Sequence, residues 1–162
     1  MTDTHEASHV DIRSMRDGDM AAVMDLLDAW NMAPKTDRDD AERSTIRVDN
    51  TFVAAYGGSV VGVARYIVPS ATVAETASLA VDPEYRGQGI GYRLQVARLE
   101  AMRSLGIETV RTETDRPRTI DWYVENFGYQ QVGTAPKKHD FSLPDVDEWT
   151  VLELNLREWS DS

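Results

Sequence analysis

The sequence contains no cysteine. That excludes a disulfide framework, a thiolate metal site and a cysteine nucleophile. Lysine is scarce: Lys35, Lys137 and Lys138 are the only ones, so arginine supplies most of the 17 basic residues. No apolar run approaches the roughly 18 residues that a membrane helix needs. The stretch Met1 to Val10 is polar and has no apolar h-region, so a cytoplasmic rather than exported protein is expected, with no membrane partner. Positive charge is outnumbered, with 17 Lys and Arg against 28 Asp and Glu for a formal net charge of −11. Phosphate backbones are repelled by such a surface, which argues against non-specific nucleic-acid binding. An acidic, lysine-poor surface suits a high-salt cytoplasm and equally an ordinary acidic bacterial protein, and it does not decide function.

What is present is the composition of a globular protein: 162 residues, 41% hydrophobic and 28% charged. That length suits one domain with a core of its own. The domain is expected over 10–157, with loose tails at 1–9 and 158–162. No internal repeat or linker stands out.

The pattern predicts mixed α and β structure. Val10 to Arg13 is a short strand, and Asp17 or Asp19 caps a helix carrying Met20, Val23, Met24 and Leu27. A second, short helix is expected at Asp39 to Arg47. Thr51 to Tyr56 and Val60 to Val68 are β-rich runs around Gly57-Gly58. A glycine pair accepts the positive φ values of a type I′ turn, so these strands should form a hairpin. Glu75 to Val81 is the next strand, stopped by Asp82-Pro83. Gly89 to Leu105 is the strongest helix, with Ile90, Leu94, Ala97, Ala101 and Leu105 on one stripe and Gly106 as its stop. Glu108 to Thr114 is a strand, and Pro117 opens a helix running to about Asn126. Gly128 to Val132 and Trp149 to Leu156 are strands, with a long polar loop at 134–147 between them.

The segment joining the central strand to the strongest helix carries the functional signal. It reads Val81-Asp82-Pro83-Glu84-Tyr85-Arg86-Gly87-Gln88-Gly89-Ile90-Gly91. Glycines let a ligand approach the backbone, and the first amides of a helix point outward as an anion site. A nucleotide P-loop needs G-x-x-x-x-G-K-[ST], and the one Lys-Thr, Lys35-Thr36, follows Pro34 instead of a glycine. The dinucleotide loop needs G-x-G-x-x-G early in a βαβ unit. Gly87, Gly89 and Gly91 instead give G-x-G-x-G, after a hairpin. A glycine turn that only tightens packing is the remaining alternative, and Arg86 between strand and helix weighs against it.

Arg86-x-x-Gly89-x-Gly91 resembles the [RQ]-x-x-G-x-[GA] signature of the GNAT superfamily of N-acetyltransferases. Phe52-Val53-Ala54, Gly57-Gly58 and Val60-Val61-Gly62 resemble the family's central hairpin. Leu79 to Gly87 resembles its strand and turn, and Ile120 to Tyr129 its late helix, A-I-x-x-Y-x-x-x-G-F. The resemblance runs from about residue 10 to 156 with order kept, and with one residue more between Tyr123 and Gly128 than the motif has. It implies an α/β (α+β) fold: a mixed sheet of six to seven strands with a splayed parallel pair, flanked by about four helices.

It also implies chemistry: transfer of an acetyl group from acetyl-CoA to a primary amine, with no metal. Carried over residue by residue, the amides of Arg86, Gly87, Gln88, Gly89, Ile90, Gly91 and Tyr92 would hold the CoA pyrophosphate. The backbone of Leu79, Ala80 and Val81 would pair with the pantetheine, and amides near Leu79 and Ala80 would stabilise the oxyanion. An amine with a pKa near 10.4 is protonated at neutral pH, so a base must act. Glu75, eleven residues before Arg86, matches the family's glutamate base; the alternative is an exposed strand-end carboxylate. Tyr123 matches the tyrosine that protonates the leaving thiolate; the alternative is a core aromatic beside Trp122. Arg116 stands where family members often carry a cofactor-contacting asparagine, and could pair with a CoA phosphate. Arg93 and Arg118 are further phosphate candidates, with a solvated helix face as the alternative.

Two patterns compete for attention. His5-Glu6-Ala7-Ser8-His9 spells H-E-x-x-H, but in a polar tail with no recognisable third ligand. His139-Asp140 with Ser142 are adjacent in a loop, and no G-x-S-x-G elbow occurs. Both read as surface polarity. In a fold of this family the loops 30–50 and 134–148 flank the acceptor. They hold Asp37, Asp39, Asp40, Glu42, Asp140, Asp145, Asp147 and Glu148, so a cationic acceptor is expected, either a polyamine or amino sugar, or a protein lysine or N-terminus. A longer acyl-CoA donor and a non-catalytic CoA-binding sensor remain open alternatives, and the resemblance makes a homodimer a further expectation.

Overall fold

The computed structural model describes residues 9–29, 48–114, 116–136 and 148–160. Seven strands and three α-helices occur among them, in the order β1 (Asp11–Ser14), α1 (Met20–Ala29), β2 (Thr51–Tyr56), β3 (Ser59–Ile67), β4 (Val73–Val81), α2 (Ile90–Ser104), β5 (Thr109–Thr114), α3 (Pro117–Phe127), β6 (Gln130–Pro136) and β7 (Glu148–Asn155). The strands form one sheet in the order β1-β2-β3-β4-β5-β7-β6. About four helices were expected; three are present among the described residues, and the short helix expected at 39–47 lies outside them. No helix among the described residues is long and apolar enough to cross a membrane.

The chain divides into two compact units, one of residues 1–66 and 77–100, the other of 67–76 and 101–162. In the first, β2 pairs antiparallel with β1 and β3. Tyr56 pairs with Ser59 across Gly57 and Gly58, whose φ values of 57° and 90° make the tight hairpin turn. Alternate residues of β2 feed opposite faces. Val53 joins Met15, Val23, Leu27, Val63 and Ala80 in one buried cluster, while Ala54 joins Val10, Val61, Ala64, Ile90 and Leu94 in another. Burying each such Val, Leu or Ile side chain contributes about 1.5–3 kcal/mol.

Two details of this unit depart from the expected pattern. Asp19 does not cap α1 as its N-cap residue. It closes a short 3-10 turn at Asp17–Asp19, where its carboxylate accepts from the Arg16 amide (2.8 Å) and from Arg13 Nη1 (2.7 Å). Met20 is accordingly solvent-facing at the helix start. The buried residues of α2 also differ. They are Ile90, Leu94, Gln95, Arg98, Leu99 and Met102, whereas Leu105 follows the helix and is 58% exposed. Gln95 and Arg98 tolerate burial because they satisfy each other. Arg98 donates Nε and Nη2 to Gln95 Oε1, and Nη1 to the Arg65 carbonyl at 2.9 Å.

In the second unit the start of β4 runs parallel to β5, in register from Val73↔Thr109 to Glu75↔Arg111. β7 lies antiparallel to both β5 and β6. Leu152, Leu154 and Leu156 are buried, as their alternation predicts. Strand β6 is later and longer than expected. It pairs with β7 as far as Pro136↔Glu148, and proline is tolerated there because β6 is an edge strand. The C-terminal segment is anchored: Arg103 donates to the Leu156 carbonyl (3.2 Å) and to the Trp159 carbonyl, with its guanidinium 4.9 Å from the Trp159 ring centre.

Candidate active site

The glycine loop belongs to the first unit. Its start is fixed to the sheet, since the Asp82 amide donates to the Val61 carbonyl at 2.8 Å. The Asp82 carboxylate accepts from the Glu84 amide at 2.9 Å and opens a 3-10 turn, Pro83–Tyr85. Gly87 and Gly89 then adopt φ of 78° and 80°. A Cβ at either position would meet nothing within 4 Å, so glycine is required there by the backbone angle, and the space beside the loop is open. The ladder of α2 starts only at the Arg93 amide, which donates to the Gly89 carbonyl at 3.0 Å. The ladder therefore does not use the amides of Gly87 to Gly91, which sit at the positive end of the helix dipole. Main-chain amides are thus left over at the start of a helix, beside open space.

The side chains around it take different parts. Ile90 is 1% exposed and packs in the core, so only its amide is available to a ligand. Ala80 is likewise buried, while Leu79 and Val81 are half-buried against the same apolar cluster as Ile90. Arg86 is exposed, and Tyr92 presents a partly exposed ring. Arg93, a phosphate candidate from sequence, donates Nη2 to the Val10 carbonyl at 2.8 Å. The Gln88 side-chain carbonyl oxygen is buried and has no hydrogen-bond partner among the described residues. The Tyr85 ring lies 5.7 Å from that of Tyr56. Desolvation raises the pKa of the Tyr85 hydroxyl, and Tyr56, Asp82 and Glu84 add to the effect.

The remaining sequence candidates belong to the second unit. Glu75 is half-buried as the third residue of β4, in register with Arg111. In-register neighbours share a face of the sheet. Arg111 also donates Nε to Glu113 Oε2 at 3.0 Å. One residue further on, the Thr76 and Thr112 hydroxyls are 2.5 Å apart, a hydrogen bond that the sequence did not signal because threonine pairs are common in strands. Tyr123 is 3% exposed and sits among aromatic rings, at 4.9 Å from Trp122 and 5.0 Å from Tyr129. Arg116 is exposed at the N-cap of α3, where its amide donates to Thr114 Oγ1 at 3.3 Å. Arg118 is exposed in the first turn.

A strand, a glycine loop and a helix, followed by strand, helix and two antiparallel strands, match a known family. Its model, described as the Acetyltransferase (GNAT) family, matches residues 20–129. The chain belongs to this family. Solved structures share the fold. Ard1 from Thermoplasma volcanium superposes with a TM-score of 0.75 at 22% identity, covering 91% of this chain and 97% of that one. The ribosomal-protein-S18-alanine N-acetyltransferase from Escherichia coli gives a TM-score of 0.72 at 19% identity, covering 91% and 94%. YncA, a putative acetyltransferase from Salmonella typhimurium solved with acetyl-CoA, gives 0.71 at 18% identity, covering 94% and 97%. Among curated proteins none matches.

The acidic residues expected at the acceptor mouth lie outside the described residues except Glu148, which is exposed at the start of β7. His139, Asp140 and Ser142 lie outside as well, as does His5. His9 is exposed, with its ring 6.5 Å from that of Tyr56.

Proposed function

We propose that this GNAT-family protein is an acetyl-CoA-dependent N-acetyltransferase acting on a primary amine. The observation that carries the reading is the loop. Two positive-φ glycines precede a helix whose ladder begins only at Arg93, and the space beside Gly87 and Gly89 is open. A pyrophosphate is the group that such a helix start receives best. YncA, with the same fold, binds acetyl-CoA, which supports the same donor here.

In this reading the amides of Gly87 to Tyr92 hold the CoA pyrophosphate, the Arg86 amide being turned to the Pro83 carbonyl (3.4 Å), and the Leu79–Val81 backbone pairs with the pantetheine as an added strand. The exposed Arg116 guanidinium offers a CoA phosphate a charged partner. Glu75, directly or through a water, takes a proton from the ammonium of the acceptor. The free amine nitrogen attacks the thioester carbonyl and forms a tetrahedral oxyanion, which main-chain amides near Leu79 and Ala80 stabilise. The C–S bond then breaks, the Tyr123 hydroxyl gives its proton to the leaving thiolate, and the nitrogen, now part of the amide, gives up its extra proton to solvent, from which the tyrosinate is reprotonated. A tyrosine pKa near 10 is close enough to that of a thiol for this transfer not to be steeply uphill.

The test is a thermal-shift comparison of acetyl-CoA, CoA and NADH, followed by an amine panel read by free-thiol release. Acetyl-CoA and CoA should raise the melting temperature and NADH should not. At 100 times Kd a ligand adds about 2.7 kcal/mol to stability. Cationic amines should release thiol faster than glutamate. No shift with either CoA species would overturn the reading, and a shift without turnover on any amine would make the protein a CoA-binding module instead.

A further inference from the structure

In the second unit β4 is joined to β5 over a short span. The Thr72 carbonyl accepts from the Glu108 amide (2.8 Å) and the Thr109 amide (3.1 Å), and the parallel register then runs from Val73↔Thr109 to Glu75↔Arg111. There the register ends. The next residue of each strand continues the link through its side chain, with Thr76 Oγ1 and Thr112 Oγ1 2.5 Å apart. Thr112 is 5% exposed and Thr76 is half-buried. Neither hydroxyl makes another hydrogen bond among the described residues. Strand β5 is itself fixed by β7, from Thr109↔Asn155 to Thr114↔Thr150. Thr76 is also the last residue of β4 in this unit, since Ala77 begins a segment of the first. Residues 72–76 are therefore tied to β5 by main chain at one end and by the hydroxyl pair at the other, and Glu75 is the residue just before the second tie.

We propose that the Thr76–Thr112 hydroxyl pair is a positioning device that holds Glu75 in place for proton transfer. The proposal rests on the reading of Glu75 as the base. Successive residues of a strand face opposite ways, so Thr76 does not share the face of Glu75 and acts on it through the main chain. The main-chain register stops at Glu75, and without the hydroxyl pair the end of this segment is free to swing away from β5. A general base must come within hydrogen-bond reach of the proton that it takes, and a misplacement of about 1 Å costs up to about 10²-fold in rate. Valine has the same branched shape and suits a strand as well as threonine does, so a pair that only filled space could be replaced by it.

The test compares Thr76→Val, Thr112→Val, the double variant and Thr112→Ser in the full chain. Each valine variant should lower kcat at pH 7 about tenfold, with acetyl-CoA affinity unchanged. The rate should recover as pH rises, because an amine that is already deprotonated needs no base. The double variant should be no slower than the slower single one, since both changes break the same bond. Thr112→Ser, which keeps the hydroxyl, should regain most of the rate lost in Thr112→Val. Added to Glu75→Gln, Thr76→Val should cost nothing further, whereas a general loss of structure would. One readout needs no turnover: the Glu75 side-chain carboxyl carbon-13 resonance, assigned through Glu75→Gln, should shift in both valine variants. Undiminished kcat in the valine variants, a further loss on the Glu75→Gln background, or an unmoved Glu75 resonance would overturn the proposal alone. A Glu75→Gln variant as fast as the unaltered protein would overturn the reading of Glu75 as the base, and the proposal with it.

Discussion

The Leu94 side chain occupies the space that a side chain on Gly62 would need. A Cβ built on Gly62 would lie 3.0 Å from Leu94 Cδ1, 3.2 Å from Ala54 Cβ and 3.4 Å from Ile90 Cγ2. Helix α2 is thereby seated directly on β3, and the helix start that carries the anion loop is set by this contact. Gly62→Ala should destabilise the protein by about 1–3 kcal/mol through overpacking. Leu94→Ala alone also costs stability, by leaving a cavity. Combined, the two should cost less than their sum, since the smaller Leu94 replacement makes room for the new methyl. Urea denaturation of the four proteins measures this. Strict additivity would show that the two sites do not touch.

Gly89 presents the opposite situation. There is room for a side chain, but the φ of 80° disfavours one. Gly89→Ala should therefore cost about 1–2 kcal/mol from backbone strain alone. Its larger effect should be on the ligand, because a strained residue relaxes by turning the amides that face the pyrophosphate. The acetyl-CoA thermal shift should fall sharply in Gly89→Ala and vanish in Gly89→Glu, which adds a repelling charge. A full shift in Gly89→Glu would remove the loop from the binding site.

These two glycines show what the sequence does and does not disclose. Gly87, Gly89 and Gly91 form a spaced motif before a helix, and motif, turn and helix are where they were expected. Gly62 carries no such sign, because its role depends on Leu94 and Ile90, about thirty residues away in sequence. The hairpin was legible for the same reason as the loop: its turn chemistry is local. The stripe on α2 was misread because burial was inferred from apolarity. Arg98 and Gln95 are buried as a hydrogen-bonded pair, with the Arg65 carbonyl as a further acceptor, so polarity is no bar to their position. Arg93 was read as either a phosphate ligand or a solvated side chain, and the Val10 carbonyl that its Nη2 meets, 83 residues away, carries no local sign in the sequence.

The Arg13–Asp19 pair gives a pH prediction. The hydrogen bond from Arg13 holds the Asp19 carboxyl below its ordinary value, partly offset by desolvation and reinforced by the Arg16 amide. A carboxyl whose native pKa is depressed contributes stability above its unfolded value, about 4, and loses it as pH falls through the native value. Asp19→Asn should thus be less stable than the unaltered protein by about 1 kcal/mol at pH 7. The difference should hold down to about pH 5 and close below pH 4. Urea midpoints across this range measure it. A gap that stays constant into acid would assign the loss to packing instead of charge.

Tyr123 and Glu75 should separate by the kind of defect that each leaves. Tyr123 is 3% exposed and its ring is held edge-on to Trp122 and Tyr129, so Tyr123→Phe keeps the aromatic packing and removes only the hydroxyl. Acetyl-CoA affinity should be unchanged while kcat falls by about 10²-fold or more, the usual worth of a positioned acid. Glu75→Gln keeps the shape of a residue in register with Arg111 and removes its capacity to accept a proton. Its rate should recover partly as pH rises, because a larger fraction of the amine is then already deprotonated. Tyr123→Phe should show no such recovery, since free amine does not replace the proton owed to the thiolate. Steady-state rates from pH 7 to about 9.5 distinguish the two. Equal recovery in both variants would mean that Tyr123 is a core aromatic and that the thiolate leaves unassisted.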